Sequence, residues 1–507
     1  MIVLNKFLTI KDFINLVDQL QPLEIEKTTQ ENVEKCYGFL KTFSEDKIIY
    51  GVNTGFGPMA QYRVSENDRV QLQYNLIRSH ASGVGKVLPV SFVRAAMLAR
   101  LNSLLKAKSG VHPSVTRVLG QLLNKEIYPV IFEHGGVGAS GDLVQLSHIA
   151  LVLIGEGEVI FKGERRPTKE VFESEGVRPI EVSIREGLAL MNGTSVMTGI
   201  GLINHNHASN LVDWSLKCSS MINELVEAYD DHFSLELNEV KLHEGQAIIA
   251  KMMRDHLKDS KLTKKREQHL YSGKVSETIF KEKVQEYYSI RCVPQILGPI
   301  FDTVSQVGTV LENELNSAND NPIIDFERGQ VYHGGNFHGD YISLEMDKLK
   351  LVVTKMTMLA ERQLNFLLNS KINSILPPFV NRGVLGLNYG VQGAQFTATS
   401  TTAENQMLSN SMYVHSIPCN NDNQDIVSMG TNAAQITNKT IENAYEVMSI
   451  ELIAIVQAIR HLELTDRLST KSKEVVESLD DIIPDIIEDK PLYGLIENTK
   501  QFLMKTK

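Results

Sequence analysis

Reactive chemistry in this sequence is easiest to look for where the backbone is least ordinary. That place is Gly135-Gly136-Val137-Gly138-Ala139-Ser140-Gly141-Asp142. Gly136 to Gly141 satisfies G-x-G-x-x-G, the pattern with which a strand–turn–helix unit cradles a dinucleotide, and Glu156 and Glu158 stand near the usual acidic offset. That reading needs strands and helices alternating into a parallel sheet, whereas the chain that follows turns helical. A second chemistry belongs to Ala139-Ser140-Gly141 itself. Gly141 has no side chain, so in a tight turn its amide nitrogen can approach the Ala139 carbonyl carbon. Attack there closes a five-membered ring. Loss of two waters, the second carrying the Ser140 hydroxyl, leaves an exocyclic methylene conjugated to an imidazolone, an electrophile no ordinary side chain supplies. Asp142 is placed to assist proton movement. Spacing alone leaves this reading open beside a purely structural glycine-rich turn.

The elements that must hold such a turn differ along the chain. In the first 200 residues, short segments such as Lys47–Gly51 and Tyr128–Phe132 read as strands or extended pieces. A helical stretch, Ser91–Lys106, lies between the turns VNTGFGP, GGVGASGD and GEGEV. From about residue 200 the pattern becomes long helices. Ile342, Met346, Leu349, Val353, Met356, Ala360, Leu364 and Leu367 make one stripe at spacings of three and four, and Leu351, Val352 and Leu359 add apolar surface on other faces. Thr440–Ile459 repeats the pattern with Ile441, Ala444, Met448, Leu452, Ile455 and Ile459. Helices apolar on several faces belong inside a bundle or a subunit interface. The expectation is a mainly α protein: a smaller mixed N-terminal part over 1–200 carrying the glycine cluster, a long-helix central bundle over 201–465, and a C-terminal helical appendix over 466–507. An oligomer is expected, with one thick monomeric core as the alternative.

Composition bounds the rest. The 507 residues are 42% hydrophobic and 22% charged, an ordinary globular balance that allows a sizeable core. A net charge of −10 argues against a general nucleic-acid or anionic-membrane binder. Cys36, Cys218, Cys292 and Cys419 are scattered singly, which fits a reducing compartment and gives no metal spacing. The N-terminus is interrupted by Lys6, Lys11 and Asp12 and makes a poor signal peptide. No run approaches the roughly 20 apolar residues needed to span a bilayer. A cytoplasmic protein without metal or diffusible cofactor is expected.

GGVGASGDLVQLSHIA resembles the signature of the histidine, phenylalanine and tyrosine ammonia-lyases and the related aminomutases, and the likeness extends along nearly the whole chain. YGVNTGFGP (Tyr50–Pro58), EGLALMNGTS (Glu186–Ser195), VQEYYSIRCVPQ (Val284–Gln295), NSANDNP (Asn316–Pro322), HGGNFHG (His333–Gly339) and NQDIVSMG (Asn423–Gly430) follow in the family's order. The resemblance implies a homotetramer of mostly parallel helices whose active sites each draw on three subunits. It also implies the self-made 4-methylidene-imidazol-5-one group (MIO) from Ala139, Ser140 and Gly141. By the same resemblance Tyr50 is the general base, although a phenol is a feeble base at neutral pH unless its site favours the phenolate. Arg291 binds the substrate carboxylate, for which its planar fork is suited. Tyr288 orients the modified ring and the leaving amine. Asn192, Gln285, Asn321 and Phe337 line the site, and Asn423, Gln424 and Asp425 belong to it.

The substrate is an aromatic amino acid, and its identity is divided. Ser79-His80 is the pair usual in histidine lyases, and Glu404 is compatible with an imidazole, although phenylalanine lyases also carry a glutamate there. Asn423-Gln424-Asp425, Gly339 after HGGNFH, and Gln392 depart from the histidine enzymes. The chain also resembles a flavobacterial type of tyrosine ammonia-lyase that keeps Ser-His. A neutral His80 can bond a phenol hydroxyl, with Asn420 a second partner. The expectation is non-oxidative deamination of L-tyrosine to trans-p-coumarate and ammonia. The alternatives are a histidine ammonia-lyase producing urocanate, a tyrosine 2,3-aminomutase, and, from another class, an inactive helical assembly protein. The last would be expected to lose Ser140, Tyr50 or Arg291, and all three are present.

Overall fold

The structure is a computed structural model that describes residues 1–5, 7–273, 278–280 and 283–506. It is mainly helical, as the apolar stripes require. Four long helices, Ser195–Leu225, Val293–Leu315, Asp340–Leu368 and Gly430–His461, carry the apolar repeats. Tyr341–Leu368 is thus helical as expected from its stripe. The helix expected over Thr440–Ile459 begins ten residues earlier, because Ala433, Ala434 and Thr437 bury small side chains that leave no apolar stripe in the sequence.

Two compact units are present: Met1–Asn206 with Val307–Asp347 and Ser411–Thr437, and His207–Gln306 with Lys348–Asn410 and Asn438–Lys507. In the first, the Val90–Leu104 helix is buried along almost its whole length, with Ala95, Ala96, Met97, Leu101 and Leu104 wholly enclosed. Its small residues let a second helix approach closely. A Cβ built on Gly199 would lie 2.7 Å from the Ala95 carbonyl carbon and 2.8 Å from the Ala96 nitrogen. The strands are short. Phe132–His134, which leads into the glycine cluster, pairs antiparallel with Val84–Val87. Among the described residues the only parallel pairing of strands is Ile2–Leu4 with Leu23–Ile25. No parallel sheet therefore supports the glycine cluster, and the dinucleotide pattern is fortuitous.

Lys47–Gly51 is not a strand. Its backbone curls around Asn53, which takes an N–H from Ile49 at 2.9 Å and gives one to the Lys47 carbonyl at 2.7 Å, while Gly51 sits at φ +74°. The curl, rather than an extended ladder, is what directs Tyr50.

The second unit buries Ile450, Leu452, Ala454, Ile455, Val456 and Ile459 of the Gly430–His461 helix. Asn405 crosslinks it, donating to Thr357 Oγ1 and to the Thr440 carbonyl, each at 3.0 Å. The C-terminal helix Tyr493–Lys505 docks through Asn210, which donates to the Leu503 carbonyl at 2.7 Å, and Trp214, which donates to the Thr506 carbonyl at 3.1 Å.

Candidate active site

The Ala139-Ser140-Gly141 turn is held on every side within the first unit. Gly138, at φ +77°, offers its carbonyl to Ser428 Oγ at 3.1 Å and to the Gly339 N–H at 3.0 Å. Gly141 is at φ +72° and its backbone bridges Gly193, so a Cβ there would run into the Gly193 carbonyl oxygen. Only glycine fits. The next amide, Asp142 N–H, donates to that same Gly193 carbonyl at 2.7 Å. Asn192 Nδ2 donates to the Ser140 carbonyl at 3.0 Å, and Gln424 Nε2 donates to the Ser140 hydroxyl oxygen at 2.8 Å. Asn192 Oδ1 accepts from the Asn321 N–H, and Asn321 Oδ1 from the Gly334 N–H, both at 2.8 Å. The residues present fit a cyclised ring: the turn is tight at a residue without a side chain, and donors already sit on the oxygens flanking Ser140.

Asp142 is buried. Its carboxylate accepts the N–H groups of Val196 at 2.8 Å and Met197 at 3.0 Å, the first turn of the Ser195–Leu225 helix, together with the Thr431 hydroxyl. A carboxylate at a helix N-terminus meets the positive end of the dipole. Burial nevertheless outweighs these bonds and raises its pKa to about 6.

A cavity of about 640 Å³ opens onto Ser140. Tyr50, His80, Ser140, Asn192, Asn321, Phe337, Asn420, Asn423 and Gln424 all line it, so most of the residues expected from the sequence do converge. The Tyr50 hydroxyl oxygen accepts the Gly57 N–H at 3.0 Å, and its ring meets Phe56 edge-on with centroids 6.1 Å apart. Gly57 is at φ +52°, where a Cβ would stand 2.8 Å from Asn420 Nδ2. Asn420, Asn421 and Asp422 are successive left-handed residues (φ 56°, 51° and 55°), closed by the reciprocal bonds between Cys419 and Gln424. Asn and Asp tolerate that region best among residues with side chains, which is why CNNDNQ makes this turn. His80 Nδ1 lies 3.0 Å from the Leu76 carbonyl.

The sequence did not single out the apolar wall of the cavity: Phe56, Met59, Leu72, Leu143 and Leu188. One signal was available. Leu72, Asn75, Leu76, Ser79 and His80 lie at spacings of three and four on the Arg69–His80 helix, so any face that shows His80 shows the others. Among the described residues the lining holds no Asp, Glu, Lys or Arg.

Gln285, Tyr288, Arg291 and Glu404 do not line this cavity; they belong to the second unit. There Arg291 donates to Gln285 Oε1 and lies 4.7 Å from the centre of the Tyr288 ring, which is 70% exposed. Glu404, on the Gln392–Leu408 helix, accepts from Asn443 Nδ2 at 2.6 Å, with Lys439 Nζ 3.8 Å away.

Fold and site together describe a mainly helical protein whose cavity opens onto a glycine-bounded turn. Residues 8–481 match the family model of the aromatic amino acid lyases, and the chain belongs to that family. The tyrosine 2,3-aminomutase of Myxococcus sp. (strain Mx-B0) is 39% identical over 492 residues, covering 95% of this chain and 93% of that one. The histidine ammonia-lyase of Geobacillus sp. (strain WCH70) is 38% identical over 94% of this chain and 91% of its own. Among solved structures, the tyrosine aminomutase of Streptomyces globisporus superposes with a TM-score of 0.95 at 34% identity, over 99% of this chain and 97% of that one.

Proposed function

We propose that the protein eliminates ammonia from L-tyrosine, giving trans-p-coumarate, with an MIO group made from Ala139, Ser140 and Gly141. The observation that carries this reading is the single cavity lined at once by Ser140, Tyr50 and His80. In the maturation step Gly141 N bonds to the Ala139 carbonyl carbon. The Ala139 oxygen leaves as water with the Gly141 and Ser140 amide protons, and the Ser140 hydroxyl leaves as water with the Ser140 α-proton. No oxidant or reductant is needed. When formed, the group supplies an electrophile toward the substrate amine, which makes that amine a better leaving group.

The chain's own residues do the rest. Tyr50, as its phenolate, takes the β-proton as the C–N bond breaks and the C=C bond forms; the Gly57 N–H donates to the same oxygen and holds it while it still carries the charge. Asn192 holds the Ser140 carbonyl oxygen, which the ring keeps, and Gln424 donates to the Ser140 hydroxyl oxygen before it leaves. His80 faces the substrate phenol. His80 Nδ1 lies 3.0 Å from the Leu76 carbonyl and 3.1 Å from the Ser79 hydroxyl; in the tautomer that donates from Nδ1 to the carbonyl, Nε2 accepts from the phenol O–H. Asn420, Asn423, Asn321 and Phe337 complete the wall. Among the described residues the cavity wall offers no Arg or Lys to a carboxylate. We assign that task to Arg291 from another copy of the chain in a homotetramer; by the same reading Tyr288 orients the modified ring and the leaving amine, and Gln285 and Glu404 add to the wall.

A tyrosine 2,3-aminomutase is the second reading, favoured by the 39% identity to an enzyme of that name. It uses the same parts and returns the ammonia to the β-carbon. The test begins with the intact mass of purified protein, expected to be lighter than its translated sequence by two waters, with Ser140→Ala at its unmodified mass. Incubation with tyrosine, histidine and phenylalanine in turn should give coumarate fastest. Urocanate formed faster would overturn the substrate, and β-tyrosine as the main product would make the enzyme a mutase.

A further inference from the structure

Behind the turn lies a buried group of charges that none of these roles uses. Arg100 and Arg185 are wholly enclosed and Asp320 is nearly so. Arg100 Nη2 is 3.8 Å and Arg185 Nη1 3.6 Å from the same oxygen, Asp320 Oδ2. Arg100 also donates to the Ala189 carbonyl and, at 3.3 Å, to Asn319 Oδ1; Arg185 donates to the Ser109 carbonyl. Both Asp320 oxygens, Arg185 Nη2 and both Nε atoms find no hydrogen bond. Such a group is not the stable way to fill a core, since buried ion pairs are often matched or bettered by apolar packing. What a guanidinium adds is N–H directions fixed by its plane.

Those directions reach the two segments that present the site. Ala189 stands in the last turn of the Glu186–Met191 helix, directly before Asn192. Asn319 and Asp320 directly precede Asn321. Between them lies Gly193, at φ +153°, where a Cβ would strike Arg100 Nη1 and stand 2.8 Å from Asn319 Oδ1. The Gly193 carbonyl in turn meets Gly141 and accepts the Asp142 N–H. Gly193 is thus in contact with Arg100 and with Gly141.

We propose that Arg100, held by Asp320 against Arg185, is a positioning residue for ring closure at Ala139-Ser140-Gly141: it presses the Gly193 peptide against Gly141 and sets Asn192 and Asn321. This rests on the MIO reading above. The test uses the full chain as Arg100→Lys and Asp320→Asn, with Arg94→Lys as the control. Arg94 is another buried arginine of the same helix, bonded instead to the Leu16 and Leu123 carbonyls and Tyr128 OH. Intact mass gives the dehydrated fraction, circular dichroism the fold, and steady-state rates kcat and KM. Wild type and Arg94→Lys should be fully lighter by two waters. Arg100→Lys and Asp320→Asn should keep the wild-type helical spectrum with most chains at unmodified mass. The matured remainder should have kcat lowered roughly tenfold or more, since small misplacements of reacting groups cost that much, at little changed KM. If Arg100→Lys does not fold, the isosteric Asp320→Asn carries the test. Complete dehydration with wild-type kcat in the folded variants overturns the proposal, as does an equal maturation loss in Arg94→Lys. A wild-type chain at its translated mass overturns the MIO reading itself, and this inference with it.

Discussion

In the proposed reaction Tyr50 and His80 divide the work at the level of single side chains, Tyr50 taking the β-proton and His80 meeting the phenol. Removing the Tyr50 hydroxyl removes the proton acceptor while leaving the ring packed against Phe56. Tyr50→Phe should therefore lose on the order of 10²- to 10⁴-fold in kcat, with the two-water mass loss intact; unchanged turnover would remove Tyr50 from the chemistry. His80→Phe replaces the acceptor facing the phenol with apolar surface. Discrimination of tyrosine over phenylalanine in kcat/KM should then fall on the order of 10²-fold or more, because a site built to bond a hydroxyl rejects the analogue lacking it. Competition between the two substrates measures the ratio directly. Asp142 gives a pH signature. Its folded pKa, raised to about 6 by burial, lies above the usual carboxylate value, so folding takes up a proton between about pH 4 and 6. Its contribution to stability is present below that window and lost as the pH rises through it. Melting temperature compared between wild type and Asp142→Asn across the window should show the wild type losing ground as the pH rises.

At the level of elements, helices whose burial is written in large apolar side chains are legible from the sequence, and Asp340–Leu368 is the clearest. The start of Gly430–His461 is not, because Ala433, Ala434 and Thr437 pack through smallness. Lys47–Gly51 misleads in the opposite way: its β-branched run looks like a strand, but a side chain six residues downstream of Lys47, Asn53, bends it. The glycine turn at Ser140 announces itself because glycine is demanded by geometry at Gly138 and Gly141. The wall of Phe56, Leu72, Leu143 and Leu188 stays silent, since an apolar side chain facing a cavity is written no differently from one in the core. Close helix approach is an element-scale property and has its own test. Gly199→Leu forces side-chain atoms into the Ala95–Ala96 backbone. It should cost about 1–3 kcal/mol by overpacking, read as a lower melting temperature with no lining residue of the cavity altered.

For the whole molecule the decisive feature is what the cavity lacks. Among the described residues its walls hold Ser140, a phenol and amides, and no Arg or Lys such as the proposed reaction needs for the substrate carboxylate. Arg291 sits instead in the second unit beside an exposed Tyr288, and the Asp340–Leu368 and Gln392–Leu408 helices expose Leu344, Leu351, Phe396 and Met407, surface suited to other copies. Under the proposed assembly, Ser140→Ala and Arg291→Ala are each nearly inactive alone. Co-expressed, they should form mixed tetramers in which some sites combine an intact Ser140 with an intact Arg291, and part of the activity returns. No recovery, in tetramers shown by native mass to be mixed, would mean that each chain completes its own site. Under the proposed assembly, a single chain carries both the reactive turn and the carboxylate-binding arginine but joins them only with its neighbours, so turnover per chain should fall on dilution below the concentration at which the copies associate.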